Sequence, residues 1–332
     1  MISARTFQHI HERLCSIADN DLPFGNFNIL CFGDFYQLRP VRGHYLFKHN
    51  LLWPLFKPFF LSINQRQAGD TTFINMLNNI RLGLLTQEDI RLLQSRFLSK
   101  HAHVNTTAPI HIYPTLKEVA QHNNYMQQSL LSTLYVHSAN HYFSSYDNCC
   151  GQPVPPQLIP IDARQAGGLQ HELHLSVGTH VMLLRNLLTQ QGLVNGAMGI
   201  VTHLTVSNDI ITTVHIKFDN ATTGTSLQNP NYNNSVPIDL YRQEFVYKGH
   251  SIIREQFPLQ PAWACTVHKT QGLSLDSAVI SLGDTLFQAG QAYVALSRVT
   301  TFNNLYITTI TPTKIYANAT VTNEYIRLAD LN

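Results

Sequence analysis

The chain has 332 residues, 44% of them apolar and 13% charged, with a formal net charge of +2 when histidine is neutral. That length allows two or three domains, and the composition excludes a disordered chain. The small net charge excludes a molecule-wide basic field, so any nucleic-acid binding has to come from local placement of Lys and Arg. Seventeen histidines can add charge at mildly acid pH. The five cysteines, Cys15, Cys31, Cys149, Cys150 and Cys265, hold no CxxC pair, and an odd count fits a reducing compartment. No apolar run approaches the roughly 20 residues of a membrane helix, and the opening MISARTFQHIHERL reads as an amphipathic helix and not as a secretory signal.

In chain order, Phe7, Ile10, Leu14 and Ile17 recur at three- and four-residue steps, which predicts a helix over residues 4–18. DNDLPFG is a turn. FNILCF is short, continuous and apolar, the pattern of a buried parallel strand, and GDFYQLRPV follows it as a polar loop. Helix, turn, buried strand and polar loop have the texture of the last part of an α/β nucleotide-binding domain. PLFKPFFLSINQRQAGD predicts a strand ending in a polar loop. TTFINMLNNIRLGLLTQEDIRLLQSRF has helix patterning, with Thr86 as an N-cap ahead of Glu88 and Asp89. APIHIYPT is a short strand and LKEVAQHNNYMQQSL a helix. Residues 137–170, rich in Ser, Asn, Gly and Pro, predict an irregular insertion.

From 176 to 256 the texture changes. GTHVMLLRN, GAMGIVTHLTV, IITTVHIKF and QEFVYKG read as strands parted by Gly, Asn and Pro, the pattern of a small antiparallel barrel. After 258 the α/β texture returns. PAWACTVHKTQG is a strand, a loop and a helix start; LDSAVISLG is a strand, FQAGQAYVALSRV a helix and NNLYITTI a strand. HELH at 171–174 lacks the spacing of the HExxH zinc motif. Cys149 and Cys150 with His141 make a poor metal site, because adjacent cysteines have the wrong ligand geometry.

GDFYQLRPV, INQRQ, VMLLRN with GLVNGAMGIV, WACTVHKTQGLSLD and AYVALSRV, in this order and spacing, resemble the PIF-one and RecD-like DNA helicases, a family that includes Helitron helicases. The resemblance runs from residue 1 to about 330. It implies an α/β fold: a partial RecA-like domain, then a second RecA-like domain carrying an inserted SH3-like β-barrel. The expected division is 1–60 for the remnant of the first domain, 61–175 and 258–332 for the two parts of the second, and 176–257 for the barrel.

The resemblance also implies roles. Gln37 of the third motif would touch the γ-phosphate or its attacking water, a task suited to an amide that both donates and accepts. Asp34 would help organise the metal site, with Gly33, Gln67 and Gly272 also shaping the nucleotide site. Arg39 stands where the family usually has proline, which alters the loop. Arg66 of the fourth motif and Arg298 of the sixth would contact phosphate, Arg298 as the finger on the transferring group. Thr266, His268, Lys269 and Thr270 of the fifth motif would hold a single-strand backbone without reading its sequence. Trp263 would stack a base or face the core, and Asn186 lies at the entry to the barrel, which in the family sits near DNA.

Such an enzyme needs a glycine-rich loop ending in Gly-Lys-Ser/Thr, and no Lys follows a Gly in this sequence. The family's Asp-Glu metal pair is also missing, and MIS resembles the tail of the stretch that follows it. The expectation is the C-terminal part of an ATP-dependent five-prime to three-prime DNA helicase, truncated after the second motif. By family its cofactors are ATP and Mg, its partner single-stranded or fork DNA, and its setting intracellular and nuclear, with no membrane. Family roles lie in repair, recombination, telomere maintenance or Helitron transposition. The alternatives are a catalytically silent single-strand-binding remnant and a poorly folding relic.

Overall fold

The computed structural model describes residues 2–41, 43–98, 109–145 and 150–331, so Cys149 lies outside the described residues. In chain order the elements are α1 (Ala4–Ala18), α2 (Thr71–Leu82), α3 (Gln87–Ser95), β1 (Ile110–Tyr113), α4 (Leu116–Gln128), β2 (Tyr135–Ser138), β3 (Asn140–Phe143) and β4 (Glu172–Leu175). There follow β5 (His180–Leu183), β6 (Met198–Ser207), β7 (Ile210–Phe218), β8 (Val236–Ile238), β9 (Tyr241–Tyr247), β10 (His250–Gln256), β11 (Leu259–Pro261) and β12 (Ala264–Thr266). The chain closes with β13 (Ala278–Leu282), α5 (Gln291–Leu296), β14 (Leu305–Ile310) and α6 (Ala319–Ala329). They form two compact units: Met1–His103, His111–Leu116 and Thr266–Asn332 in the first, Val104–Ile110 and Lys117–Cys265 in the second.

The first unit is built on a four-stranded sheet in the order β12-β1-β13-β14. β13 and β14 run parallel, and all of β13 is buried, an apolar strand whose one polar side chain, Ser281, hydrogen-bonds to Thr309. Around the sheet the helices begin and end where their caps require. Ser3 accepts from the Thr6 amide at the start of α1, and Phe7 on that helix packs 5.2 Å from Phe24 and 5.6 Å from Phe56. Asp70 caps α2 by accepting from the Phe73 amide, and Thr86 with Asp89 forms a full capping box on α3. α2 buries Phe73, Met76, Leu77 and Ile80, one stripe at helical spacing. Each such side chain contributes about 2 kcal/mol, more than the roughly 1 kcal/mol of a cap, so packing holds the helix and the cap sets its start. The stripe turns Arg81 outward, toward the loop that carries Asp34.

Two expected strands of this unit do not form. FNILCF and the stretch after Trp53 are extended chain without a sheet partner. Leu30 is 84% and Phe32 86% exposed, and Phe59 and Leu61 are 88% and 89% exposed. A buried strand needs ladder partners and cover on both faces, and no described segment supplies them. Ile29 alone of the FNILCF run reaches an apolar cluster, that of Phe7, Phe24, Leu46 and Leu52.

The second unit is mostly antiparallel sheet. β11-β5-β6-β7-β8 form a five-stranded sheet, β3-β10-β9 a three-stranded one and β2-β4 a pair. The inward residues of the five-stranded sheet, among them Val181, Val201, Val214, Ile216 and Ile238, share a core with Leu173 and Leu175 of β4. The structure corrects the sequence reading here. Residues 137–170 are not wholly irregular: β3 lies in this range and pairs with β10. QEFVYKG, expected in the barrel, is β9 of this separate sheet. Phe143, Val154, Ala166, Phe245 and Ile252 explain this, because they form a core of their own.

Arg254 of β10 is fully buried beside that core. It donates to His141 Nε2 at 2.8 Å, to the Leu169 carbonyl at 2.8 Å and to the Pro160 carbonyl at 2.5 Å. Burial pushes its pKa down to about 10. Burial and the Arg254 charge together push His141 down to about 4. His141 is therefore a neutral acceptor for Arg254, committed to packing and not to a metal. Among the described residues no cluster of His, Cys, Asp and Glu could hold a metal ion. No helix among them is long and apolar enough to cross a membrane.

Candidate functional site

Two features of the first unit stand out: an aromatic and ionic clasp on the Asp34 loop, and a pair of arginines without a carboxylate. The loop starts as an Asx turn, with Asp34 Oδ1 accepting from the Tyr36 amide at 3.1 Å. The same carboxylate receives Arg81 Nε at 3.0 Å and Arg81 Nη2 at 2.8 Å, and the Tyr325 hydroxyl donates to Oδ1 at 3.1 Å. That hydroxyl also accepts the Phe35 amide at 3.1 Å. Tyr36 stacks on Tyr325 with centroids 4.8 Å apart and planes at 4°, and the Arg81 guanidinium lies 4.6 Å from the Tyr36 ring centre. Burial works against the charge of Arg81, but the hydrogen bonds and charge of Asp34 raise its pKa. Burial and the Asp34 charge push the Tyr325 hydroxyl well above its usual value, so it stays a protonated donor at neutral pH. Asp34, expected to organise a metal site, is held here by Arg81, Tyr325 and the Tyr36 amide.

Gln37 is half-buried at the end of this loop, and its Oε1 accepts from Gln271 Nε2 at 3.4 Å. Gly33 is exposed and a side chain there would meet open space, so the loop does not need a glycine at that point. Gly290, the N-cap of α5, does need to be one. Its φ is 80°, and a Cβ would lie 2.4 Å from the Tyr36 carbonyl oxygen and 2.9 Å from that of Gln37.

At the other end of α5 sit the arginines. Arg298 is only 3% exposed. Its Nε donates to the Val294 carbonyl at 2.9 Å, Nη2 to Ser297 Oγ at 2.8 Å, and Nη1 to the Leu273 carbonyl at 3.4 Å. Arg66 donates to Ser274 Oγ at 2.9 Å and to the Ser297 carbonyl at 3.2 Å. Gln67, 2% exposed, bonds the Ser297 and Val299 carbonyls at 3.2 and 2.7 Å. It ties the turn that carries Arg66 to the end of α5. Burial pushes Arg298 down to about 10, and the neighbouring Arg66 charge adds to this. Among the described residues neither guanidinium has a carboxylate partner. Burying a cation beside a second cation is unfavourable, and such a pair suits a polyanion. Tyr293 joins the two features: burial raises its pKa, the Asp34 charge raises it further, and Arg81, Arg298 and Arg66 oppose this.

The residues expected to touch DNA divide. Trp263 is 9% exposed, Thr266 7%, and Thr270 fully buried with its hydroxyl donated to the Val267 carbonyl at 2.8 Å. These three side chains are buried, where the sequence reading expected them to meet DNA. The apolar strand ACT and the 3₁₀ turn after it pull them in. Lys269 is exposed. His268 is half-buried and lies near-parallel to Phe287, and burial lowers its pKa, so it is a neutral ring at pH 7. Gly272 has φ 90° with open space around it, so the turn requires it by conformation. Asn186 is exposed in the second unit, with its Oδ1 accepting the Asn195 amide at 2.8 Å. Sequence reasoning missed Arg81, Tyr325, Gly290 and Gln271. Gly290 carried a signal, a glycine directly before a helical run. Arg81 and Tyr325 carried none, since they meet Asp34 across 47 and 291 residues.

Comparison with known proteins bears on this site. A family model for the 2B domain of the DNA helicase Pif1 matches residues 164–204. The ATP-dependent DNA helicase PIF1 of Rattus norvegicus is 30% identical over 339 residues, covering 99% of this chain and 48% of that protein. The crystal structure of a Pif1 helicase from Candida albicans shares the fold, with a TM-score of 0.79 at 24% identity, covering 100% of this chain and 75% of that chain. A Bacteroides Pif1 in complex with ADP-AlF3 and ssDNA superimposes with a TM-score of 0.73 at 25% identity, over 99% of this chain and 73% of that one. The chain belongs to the Pif1-like DNA helicase family. Its α/β architecture is accordingly RecA-like, as in these helicases. The chain spans about half the length of the curated Pif1 relatives it matches.

Proposed function

We propose that this Pif1-like chain forms the arginine-bearing side of an ATP site and part of the motor of a DNA helicase that hydrolyses ATP, moves five-prime to three-prime on a single strand and opens forked DNA. The observation that carries this reading is the pair Arg66 and Arg298, brought together by Gln67 and left without a carboxylate. In such a site Arg298 meets the transferring phosphoryl group and Arg66 a neighbouring phosphate oxygen. Gln37 orients the attacking water. An arginine finger of this kind is worth about 10³–10⁵ in kcat.

The donor set fits nucleotide phosphate and does not fit magnesium, which needs hard oxygen ligands. Asp34 is committed to Arg81 and Tyr325. Lys269 and His268 of the first unit are the side chains that would lie along single-stranded DNA, and Gln271 would pass strand contact to Gln37; a DNA contact at Asn186 of the second unit is a separate proposal. Under this reading residues 1–60, 61–175 with 258–332, and 176–257 are the remnant of the first RecA-like domain, the second RecA-like domain and an SH3-like insert. The cellular setting is nuclear DNA repair, recombination and telomere maintenance, or Helitron transposition.

A second reading, a silent single-strand-binding module, is favoured by one observation: no Lys follows a Gly in the 332 residues. Titration with ADP–aluminium fluoride and with a fluorescent oligo-dT separates the readings. The helicase reading expects nucleotide binding that both Arg66→Ala and Arg298→Ala abolish, alongside oligo-dT binding. Oligo-dT binding with no nucleotide binding selects the module, and binding of neither overturns both.

A further inference from the structure

The Asp34 clasp lies outside the roles assigned above, yet it holds the loop that carries Gln37. Three elements converge there: α2 through Arg81, α6 through Tyr325 and the start of α5 through Gly290. The contacts are redundant in kind. Arg81 forms a bidentate ion pair, which fixes direction as well as distance. The Tyr325 hydroxyl donates to the carboxylate and accepts the Phe35 amide, so one oxygen pins both side chain and backbone. The Tyr36 ring is held by the Tyr325 ring on which it stacks and by the Arg81 guanidinium over it. A turn of polar and aromatic residues has little reason of its own to keep one conformation. Here its backbone has been tied at consecutive residues, and the next residue but one after Phe35 is Gln37.

We propose that Arg81 and Tyr325 are positioning residues for the nucleotide reaction: clamped on Asp34, they set the loop so that Gln37 faces the phosphate bound by Arg66 and Arg298. The α6 helix thereby takes part in nucleotide recognition without touching the nucleotide. α5 completes the frame. Gly290 presses on the Tyr36 and Gln37 carbonyls at one end of that helix, and Arg298 follows its other end. The loop and the finger are therefore referenced to the same short rigid element. This inference rests on the proposed nucleotide site, and it adds residues that sequence motifs do not contain.

The test uses the whole chain with Tyr325→Phe, which keeps the ring stack and removes one oxygen, and Arg81→Lys, which keeps the charge and loses the fork. Hydrogen exchange at the Phe35 amide and titration with ADP–aluminium fluoride are both measured, the latter also with Gln37→Ala alone and combined with Tyr325→Phe. The expected result is about tenfold faster exchange at Phe35 in Tyr325→Phe and about fivefold weaker nucleotide binding, the scale of one hydrogen bond. Melting should stay nearly unchanged, and the loss should not add to that of Gln37→Ala. Unchanged exchange overturns the clamp. Faster exchange with wild-type nucleotide affinity, or a loss that adds fully to that of Gln37→Ala, overturns the positioning role. Failure of the unmodified chain to bind nucleotide is a separate result: it sinks the proposed nucleotide site and this inference with it.

Discussion

Replacing Arg298 by glutamine should leave the folded chain about as stable as before while abolishing its response to a polyanion. The buried guanidinium is held at a pKa of about 10 by burial and by Arg66. A base whose folded pKa is lowered destabilises the fold at every pH below that value. The drop is two to three pH units, each worth about 1.4 kcal/mol, so the charge costs about 3 kcal/mol at pH 7. Against this stand the hydrogen bonds to the Val294 and Leu273 carbonyls and to Ser297 Oγ. At about 1 kcal/mol each they return nearly the same amount, and Arg298→Gln should shift stability by no more than about 1 kcal/mol. A bound polyanion changes the balance, because it compensates both guanidiniums. At a hundredfold excess over Kd it adds about 2.7 kcal/mol, or several degrees in Tm at the roughly 2–4 °C per kcal/mol of a unit this size. Melts with and without pyrophosphate, followed by circular dichroism, read this directly. A loss of more than about 3 kcal/mol on substitution without ligand would refute the reasoning, since the charge would then already be compensated. A full pyrophosphate shift surviving in Arg298→Gln would refute it equally.

Gln67→Leu takes the side-chain donor from the Val299 carbonyl, while the Ser297 carbonyl keeps Arg66, so it should cost about 1–2 kcal/mol in chemical denaturation and weaken nucleotide binding with it. Gly290→Ala forces a Cβ to 2.4 Å from the Tyr36 carbonyl at φ 80° and should cost at least about 2 kcal/mol by the same measurement. Buried His141 and partly buried His180 of the second unit pull stability in opposite directions with pH. His141 is held down to about 4 by burial and by Arg254, so its contribution falls as pH drops from about 6.5 to 4, by at most about 3 kcal/mol. Its replacement by glutamine, still an acceptor for Arg254, should flatten that limb of a Tm–pH curve. For His180, burial opposes the charge but Asp219 at 3.2 Å raises the pKa; its contribution is full below about 6.5 and fades as pH rises through the folded value, and Asp219→Asn should remove that fade. Steady-state ATPase of the chain with oligo-dT should be negligible, since no Lys follows a Gly; robust turnover lost in Arg298→Ala would overturn this.

Much of the α/β frame was legible because its signals are local. Helix α1 is written in four apolar positions at helical spacing, and α3 in the Thr86 cap. What failed failed for non-local reasons. FNILCF has the composition of a buried strand, but a strand is made by its neighbours, and Leu30 and Phe32 find none. Residues 137–170 looked irregular because β3 is four residues long and earns its place through β10, over a hundred residues on. The motif residues were readable by type, but burial was not: Thr270 offers a hydroxyl on paper and spends it on Val267. The clasp was the least visible part. Asp34 could be named as polar and well placed, whereas Arg81 and Tyr325 follow only from the fold.

The tie between Asp34 and Tyr325 spans 291 residues, and that between Trp53 and Glu324 spans 271. During synthesis at about 5–20 residues per second, the loop near residue 34 therefore leaves the ribosome many seconds before the helix that seats it. Throughout that interval the exposed apolar run of Leu30 and Phe32 waits on an unfinished chain. Contacts of such long sequence separation are also slow to form. The clasp is thus a late event in maturation, and the nascent segment around Leu30 and Phe32 is where a holding chaperone would be expected to sit.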